Sequence, residues 1–220
     1  MSTTYLHSNH MAKLNTFLLL LSFLLCTFCR EGSTTGTARP SGNAGFIKAS
    51  CSATLYPDLC VQSLSGYASA VQQSEKRLAL AALSVSLARA RSATAFVTNM
   101  AKAKGLKARE YQAVKDCMDT MDDSVDRLSQ SVRELGRVGG GRASQNFMWH
   151  MSNVQTWVSA ALTDDTTCVD GLAFYGMNQR VKAAIKGKVS NVAQVTSNAL
   201  ALVNRFAERH RSAAARTEKP

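Results

Sequence analysis

The chain has 220 residues, 45% of them apolar but only 7% aromatic, with 13 Gly and 3 Pro. So few prolines leave room for long uninterrupted helices, and the shortage of aromatic residues argues against a sheet-rich fold. A net charge of +11 favours acidic surroundings, whether nucleic acid, anionic lipid or an acidic polysaccharide, without choosing among them. The apolar content excludes a disordered basic tail, and the length suits one domain with flanking segments.

The chain begins with a leader. Phe17 to Phe28 is an uncharged apolar run preceded by Lys13 and followed by Arg30 and Glu31. As a helix it reaches roughly 18 Å, short of the roughly 30 Å hydrocarbon core of a bilayer. That length fits a secretory signal peptide over residues 1–29 better than a membrane anchor. Thr27-Phe28-Cys29 is a poor cleavage sequence, so the cut is expected there or slightly downstream. Secretion places the chain in an oxidising compartment, and Cys26 and Cys29 leave with the leader. Cys51, Cys60, Cys117 and Cys168 remain, and four cysteines allow three pairings. The short gap between Cys51 and Cys60 favours a local staple, leaving Cys117 with Cys168. Zinc is the competing reading, but no C-x-x-C pair follows the leader and only His150 and His210 accompany the cysteines.

Residues 30–44 are small and polar and read as a disordered linker. Phe46-Ile47 opens a short helical stretch that Tyr56-Pro57-Asp58 interrupts, because the residue before proline is driven out of helical space. Two short helices are expected to meet there as a hairpin. Four long periodic stretches follow. From Glu75 to about Met100 the apolar set is Leu80, Leu83, Leu87, Ala90 and Val97. From about Ala108 to Leu135 it is Val114, Cys117, Met121, Val125, Leu128, Val132 and Leu135. Gly139-Gly140-Gly141 stops that helix, and Ser144 or Gln145 restarts one bearing Phe147, Met151, Val154, Val158 and Ala161. The last carries Val181, Ile185, Val189, Val192, Thr196, Ala199, Val203 and Phe206. Alternating steps of three and four predict a four-helix bundle, and short connections an up-down-up-down order; with the N-terminal helical hairpin and two disulfides expected above, the fold is all-α. The domain is placed at 45–209. Residues 210–220, without an apolar face, are expected to form a flexible basic tail.

Catalytic machinery is not expected. Pairing of the four cysteines leaves no thiolate nucleophile, His150 stands alone between Trp149 and Met151, and no phosphate loop or nucleophile elbow occurs. No cofactor is implied. The notable constellation is acidic: Asp116, Asp119, Asp122, Asp123 and Asp126 hold five of the fifteen carboxylates in eleven positions. At 100° per residue Asp116, Asp119, Asp123 and Asp126 fall within roughly a quarter of the helix circumference. A solvated helix face is the plain reading of such a strip. Trp149 and Trp157, about 80° apart on one helix, are expected to be buried.

Phe46-Ile47-x-x-x-Cys51-x-x-x-x-Tyr56-Pro57-x-x-Cys60, with Cys117 and Ala160-Ala161-Leu162-Thr163-Asp164-x-x-Thr167-Cys168-x-Asp170-Gly171, resembles the plant invertase and pectin methylesterase inhibitor family over about residues 45 to 207. The resemblance implies a four-helix bundle whose first cysteine pairs with the second and third with the fourth. It implies a non-catalytic protein secreted to the apoplast and cell wall, where it plugs the cleft of a carbohydrate enzyme. Pectin methylesterase is the first candidate partner and acid invertase, of the cell wall or vacuole, the alternative. By position after the third cysteine, Asp119, Asp123 and Asp126 resemble acidic contacts to pectin methylesterase, and Thr167 a further contact. The chain lacks the proline-rich loop of many members between Phe174 and Arg180, which leaves the choice between the two enzymes open. It ends at Pro220 without a catalytic segment, so a pectin methylesterase pro-region is not expected. A rival of another class is a cationic pectin- or membrane-binding protein that inhibits nothing. Electrostatic adhesion to pectin is compatible with both, and nucleic acid is not expected.

Overall fold

A computed structural model describes residues 42–102, 105–139, 145–174 and 177–217. The expected leader and residues 30–41 of the expected linker lie outside the described residues. All regular structure among the described residues is helical, and none of these helices is long and apolar enough to cross a membrane.

Helices α1 (Asn43–Cys51) and α2 (Pro57–Leu64) meet at Tyr56. Pro57 opens α2, where its missing N–H removes a donor that would have no helical partner. Cys51 and Cys60 are disulfide-bonded across the corner, with Cα atoms 5.6 Å apart. The corner is also fastened to the bundle. Asn198 accepts from Tyr56 N at 3.0 Å and donates to Tyr56 O at 2.9 Å. A 3₁₀ turn (Ser65–Tyr67) and the short α3 (Ala68–Val71) complete the hairpin.

The four long helices are α4 (Glu75–Ala101), α5 (Ala108–Arg137), α6 (Gln145–Phe174) and α7 (Gln179–Thr217). Ser74 caps α4 by accepting from Arg77 N, and Glu75 occupies its first turn. Asn178 accepts from Arg180 N at the start of α7. Glu110 accepts from Lys107 N at 2.8 Å and from Asn178 N at 2.7 Å, so one carboxylate serves the beginnings of α5 and α7. These two backbone donors hold its pKa below the ordinary carboxylate value. At the other end of α5, Lys76 donates to the carbonyls of Gly136 and Val138.

Each long helix packs on two neighbours, α4 on α5, α5 on α6, α6 on α7 and α7 on α4. This is the antiparallel square that the three-four spacing predicts. Leu83, Val97, Val114, Met121, Leu128, Leu135, Met151, Val154, Val158, Ile185, Val189 and Val203 are buried between the helices. Each such burial contributes roughly 1.5–3 kcal/mol. Leu80, Val125, Val132 and Val181 from the same apolar sets are only partly buried and pack against the rim of the core. Cys117 and Cys168 are disulfide-bonded across α5 and α6, with a Cα separation of 4.2 Å.

Three expectations differ from the structure. Asn43 and Ala44, at the end of the expected linker, already belong to α1. Helix α7 continues through His210 to Thr217, so the backbone of 210–217 is helical where a tail was expected. The His210 ring, 4.8 Å from Phe147 and 4.6 Å from Phe206, extends the packed part of α7 one turn beyond the last apolar residue of the seam. Trp149 is 61% exposed and not buried, because its helical phase lies about 160° from Phe147 and Met151.

Candidate functional site

On α5 the core phase is set by Cys117, Met121 and Leu128, and Asp116, Asp119, Asp123 and Asp126 project from the opposite side. All four are exposed. Asp119 pairs with Lys115 at 2.9 Å, an exposed i,i+4 contact of little energetic weight, and Asp116 accepts from Gln112 Nε2 at 2.7 Å. Asp123 and Asp126 have no hydrogen-bond or ion-pair partner among the described residues. Asp122 stands toward α4, where partial burial and then the charges of Asp119, Asp126 and Asp123 raise its pKa. Such crowding costs helix stability.

The strip does not stop at the edge of α5. Asp164 on α6 takes the Arg127 guanidinium at 2.7 Å. Its pKa is nonetheless raised, because burial outweighs Arg127 and the charge of Asp123 acts in the same direction. Further along the seam, Asp116 and Thr120 of α5 face Thr167 and Gly171 of α6 across a groove of about 280 Å³ above the Cys117–Cys168 bond. The Thr167 hydroxyl donates to Thr163 O at 2.8 Å, which leaves its oxygen free to accept. The antiparallel pairing of α5 and α6 thus brings Thr167 beside the head of the acidic strip. Asp119, Asp123 and Asp126 run from there along the outer face of α5.

Behind this face lies a polar layer that sequence reasoning missed. Asp165 is fully buried and accepts from Ser124 Oγ at 2.7 Å. Thr196 of α7 is its other polar neighbour, although Asp165 Oδ2 and Thr196 Oγ1 both lie outside direct hydrogen-bond geometry. Burial pushes the Asp165 pKa up to about 7, against the opposing Ser124 and Thr196 contacts and with help from Asp164. The signal was available. Val158, Ala161, Cys168 and Leu172 step by three and four around a gap at 165, which is a core position. His150 is held by buried Glu134 at 2.8 Å and has an anchoring place on the α5–α6 seam. No group of three metal-ligating side chains occurs among the described residues.

The family profile described as "Plant invertase/pectin methylesterase inhibitor" matches residues 45–202. The chain belongs to this family. Among similar proteins, it is 54% identical to "Pectinesterase inhibitor 9" of Arabidopsis thaliana over 179 residues, covering 80% of this chain and 88% of that one. It is 50% identical to the "21 kDa protein" of Daucus carota, covering 76% and 86% of the two chains. It is 46% identical to "Pectinesterase inhibitor 11" of Arabidopsis thaliana, covering 88% and 96%. The crystal structure of mutant form A of a pectin methylesterase inhibitor from Arabidopsis superposes with a TM-score of 0.57 at 20% identity, covering 74% of this chain and 97% of that one. That likeness speaks for the inhibitor-family fold. The Cys51–Cys60 corner and the pinned α5–α6 seam lie within the matched residues.

Proposed function

We propose that the protein inhibits pectinesterase outside the cell, by docking the end of the α5–α6 face that carries Asp119, Asp123, Asp126 and Thr167 across the substrate cleft of the enzyme. The observation that carries this reading is the exposed strip of Asp119, Asp123 and Asp126 beside Thr167, on a chain 54% identical to a protein named a pectinesterase inhibitor. Docking needs no covalent step. A face pinned by a disulfide and by the Arg127–Asp164 and Ser124–Asp165 bonds keeps its shape on binding, which limits the ordering cost of association. The carboxylates would meet cations at the rim of the cleft and set the orientation of the complex.

The test is titration of the oxidised protein against a purified plant pectinesterase and, in parallel, an acid invertase. Inhibition of pectinesterase is expected. Inhibition of invertase alone would overturn the reading in favour of the other enzyme named in the family description. Replacing Asp119, Asp123 and Asp126 together by Asn is expected to weaken inhibition more than about tenfold, since losing one partner of a desolvated pair can cost roughly 2–5 kcal/mol. The melting temperature should hold or rise slightly as like charges are removed. Full inhibition by the triple variant would remove the strip from the interface. Arg91 and Lys102, exposed basic residues of α4 and its C-terminal end, provide a control: replacing both by Gln should leave inhibition unchanged.

A further inference from the structure

The end of the bundle where α6 begins carries a large aromatic surface that the core does not use. Trp149 is 61% exposed and its neighbour Met148 is 38% exposed. The two side chains are consecutive, and exposed apolar surface of this kind can serve as a contact surface. Its ring is also fixed in place. Trp149 lies edge-to-face on His150 at 5.1 Å, His150 Nδ1 is bonded to Glu134 at 2.8 Å, and buried Glu134 also accepts from Asn153 at 3.2 Å. A chain of contacts from α5 therefore positions the indole in advance of any ligand, which lowers the ordering cost of binding.

The charge around it has one dominant sign. The contacts of Glu134 with His150 and Asn153 set the antiparallel register, and continuing it places Arg137 level with Trp149. Arg137 is 71% exposed and only loosely paired with Glu134 at 3.5 Å. Arg133, one turn earlier and bonded only to Ser129, is exposed on the α4 side of the outer face and continues the positive charge along α5. The acidic strip ends at Asp126, so the outer face of α5 changes sign along its length.

We propose that Trp149, with Arg133 and Arg137, forms a binding platform for an anionic polysaccharide of polyuronate type. The indole stacks on the C–H face of a sugar ring, and the guanidiniums take carboxylates of neighbouring residues in the same chain. The indole and both guanidiniums are exposed, which leaves them open to an extended polymer. The choice of a polyuronate rests on the proposed function, because that polymer is the material on which a pectinesterase works. The platform itself is independent of inhibition. It would hold the inhibitor on the polymer its target enzyme modifies, at a site separate from the docking strip.

The test uses the full mature chain with both disulfides formed. Retention is measured on immobilised polygalacturonate, on fully methyl-esterified pectin and on a single-stranded oligonucleotide, across a salt series. In a Trp157→Phe background Trp149 becomes the sole indole reporter, and its emission is followed while oligogalacturonides are added. Expected are saturable quenching or a blue shift, preference for the de-esterified polymer, and binding that weakens with salt. Trp149→Ala and the pair Arg133→Gln with Arg137→Gln should each reduce retention about tenfold while pectinesterase inhibition and the melting temperature stay unchanged. Equal retention by folded Trp149→Ala, or no emission change in the Trp157→Phe protein, would overturn the proposal. Stronger retention on the oligonucleotide would assign the platform to nucleic acid. Loss of inhibition with retention intact would assign Trp149 to the enzyme interface. If wild-type inhibition is absent but polyuronate binding follows Trp149, the proposed function fails and the platform stands.

Discussion

Replacing Asp165 by Asn keeps the shape of the side chain and removes its titration. In the folded protein Asp165 stays protonated up to about pH 7, whereas the unfolded chain releases that proton near 3.8. Between those values the folded state binds more protons than the unfolded one, so stability falls as pH rises, by about 1.4 kcal/mol per pH unit. The stabilisation is complete below the unfolded value and lost as pH rises through the folded one. The whole window amounts to on the order of 4 kcal/mol, and half of it would move the melting temperature of a chain this size by about 4–8 °C. In Asp165→Asn the amide oxygen keeps the Ser124 bond, and the uncharged amide nitrogen takes the place of Oδ2 beside Thr196. Calorimetric melts of both proteins across about pH 4 to pH 8 provide the assay. The two curves should nearly coincide at the acid end, and the variant should melt higher by at least about 4–8 °C at the alkaline end. Shifts at Asp122, Glu110 and Glu134 are common to both proteins and cancel in the difference. A difference independent of pH would refute the reasoning.

Asn198→Ala should cost about 2 kcal/mol, or about 4–8 °C, because both backbone groups of Tyr56 lose their partner in a half-buried corner; thermal melts check it. Cys117→Ser with Cys168→Ser should cost about 4 kcal/mol and Cys51→Ser with Cys60→Ser about 3 kcal/mol in the loop-entropy account, an order that denaturant unfolding of the two variants can verify. Glu110 has a lowered pKa, so its stabilisation is present above the ordinary carboxylate value and lost as pH falls through the lowered one. Glu110→Gln should therefore lose stability at neutral pH and show a shallower decline in acid, read from melts between about pH 2 and pH 6.

The long helices were legible because each buries a continuous stripe, and that stripe imposes the three-four spacing. The Tyr56-Pro57 corner was legible because proline constrains its neighbour whatever the surroundings. The residue type of Asp165 argues against burial, although its phase matches Ala161 and Cys168. Trp149 is the converse: its size argues for burial while its phase points to solvent. Asn198 gave no signal at all, since its partner is the backbone of a residue 142 positions away. At the candidate site, the clustering of Asp119, Asp123 and Asp126 was visible in one helix. The approach of Asp164 and Thr167 from α6 depended on how two helices pair, which no single helix records.

Glu110 has a consequence for the order in which the chain assembles. The helices α5 and α7 stand diagonally in the square and run in the same direction, so their positive dipole ends lie at the same end of the bundle. Two half-charges of like sign would repel there, and one buried carboxylate between them binds both. Its bond to Lys107 spans three residues and can form as soon as α5 does. Its bond to Asn178 spans 68 residues and must wait until the whole of α6 has been laid down between them. The same side chain thus serves a local bond at the start of α5 and a long-range latch to α7. Protection of the Asn178 amide from hydrogen exchange marks the closing of the square, and not the winding of any one helix.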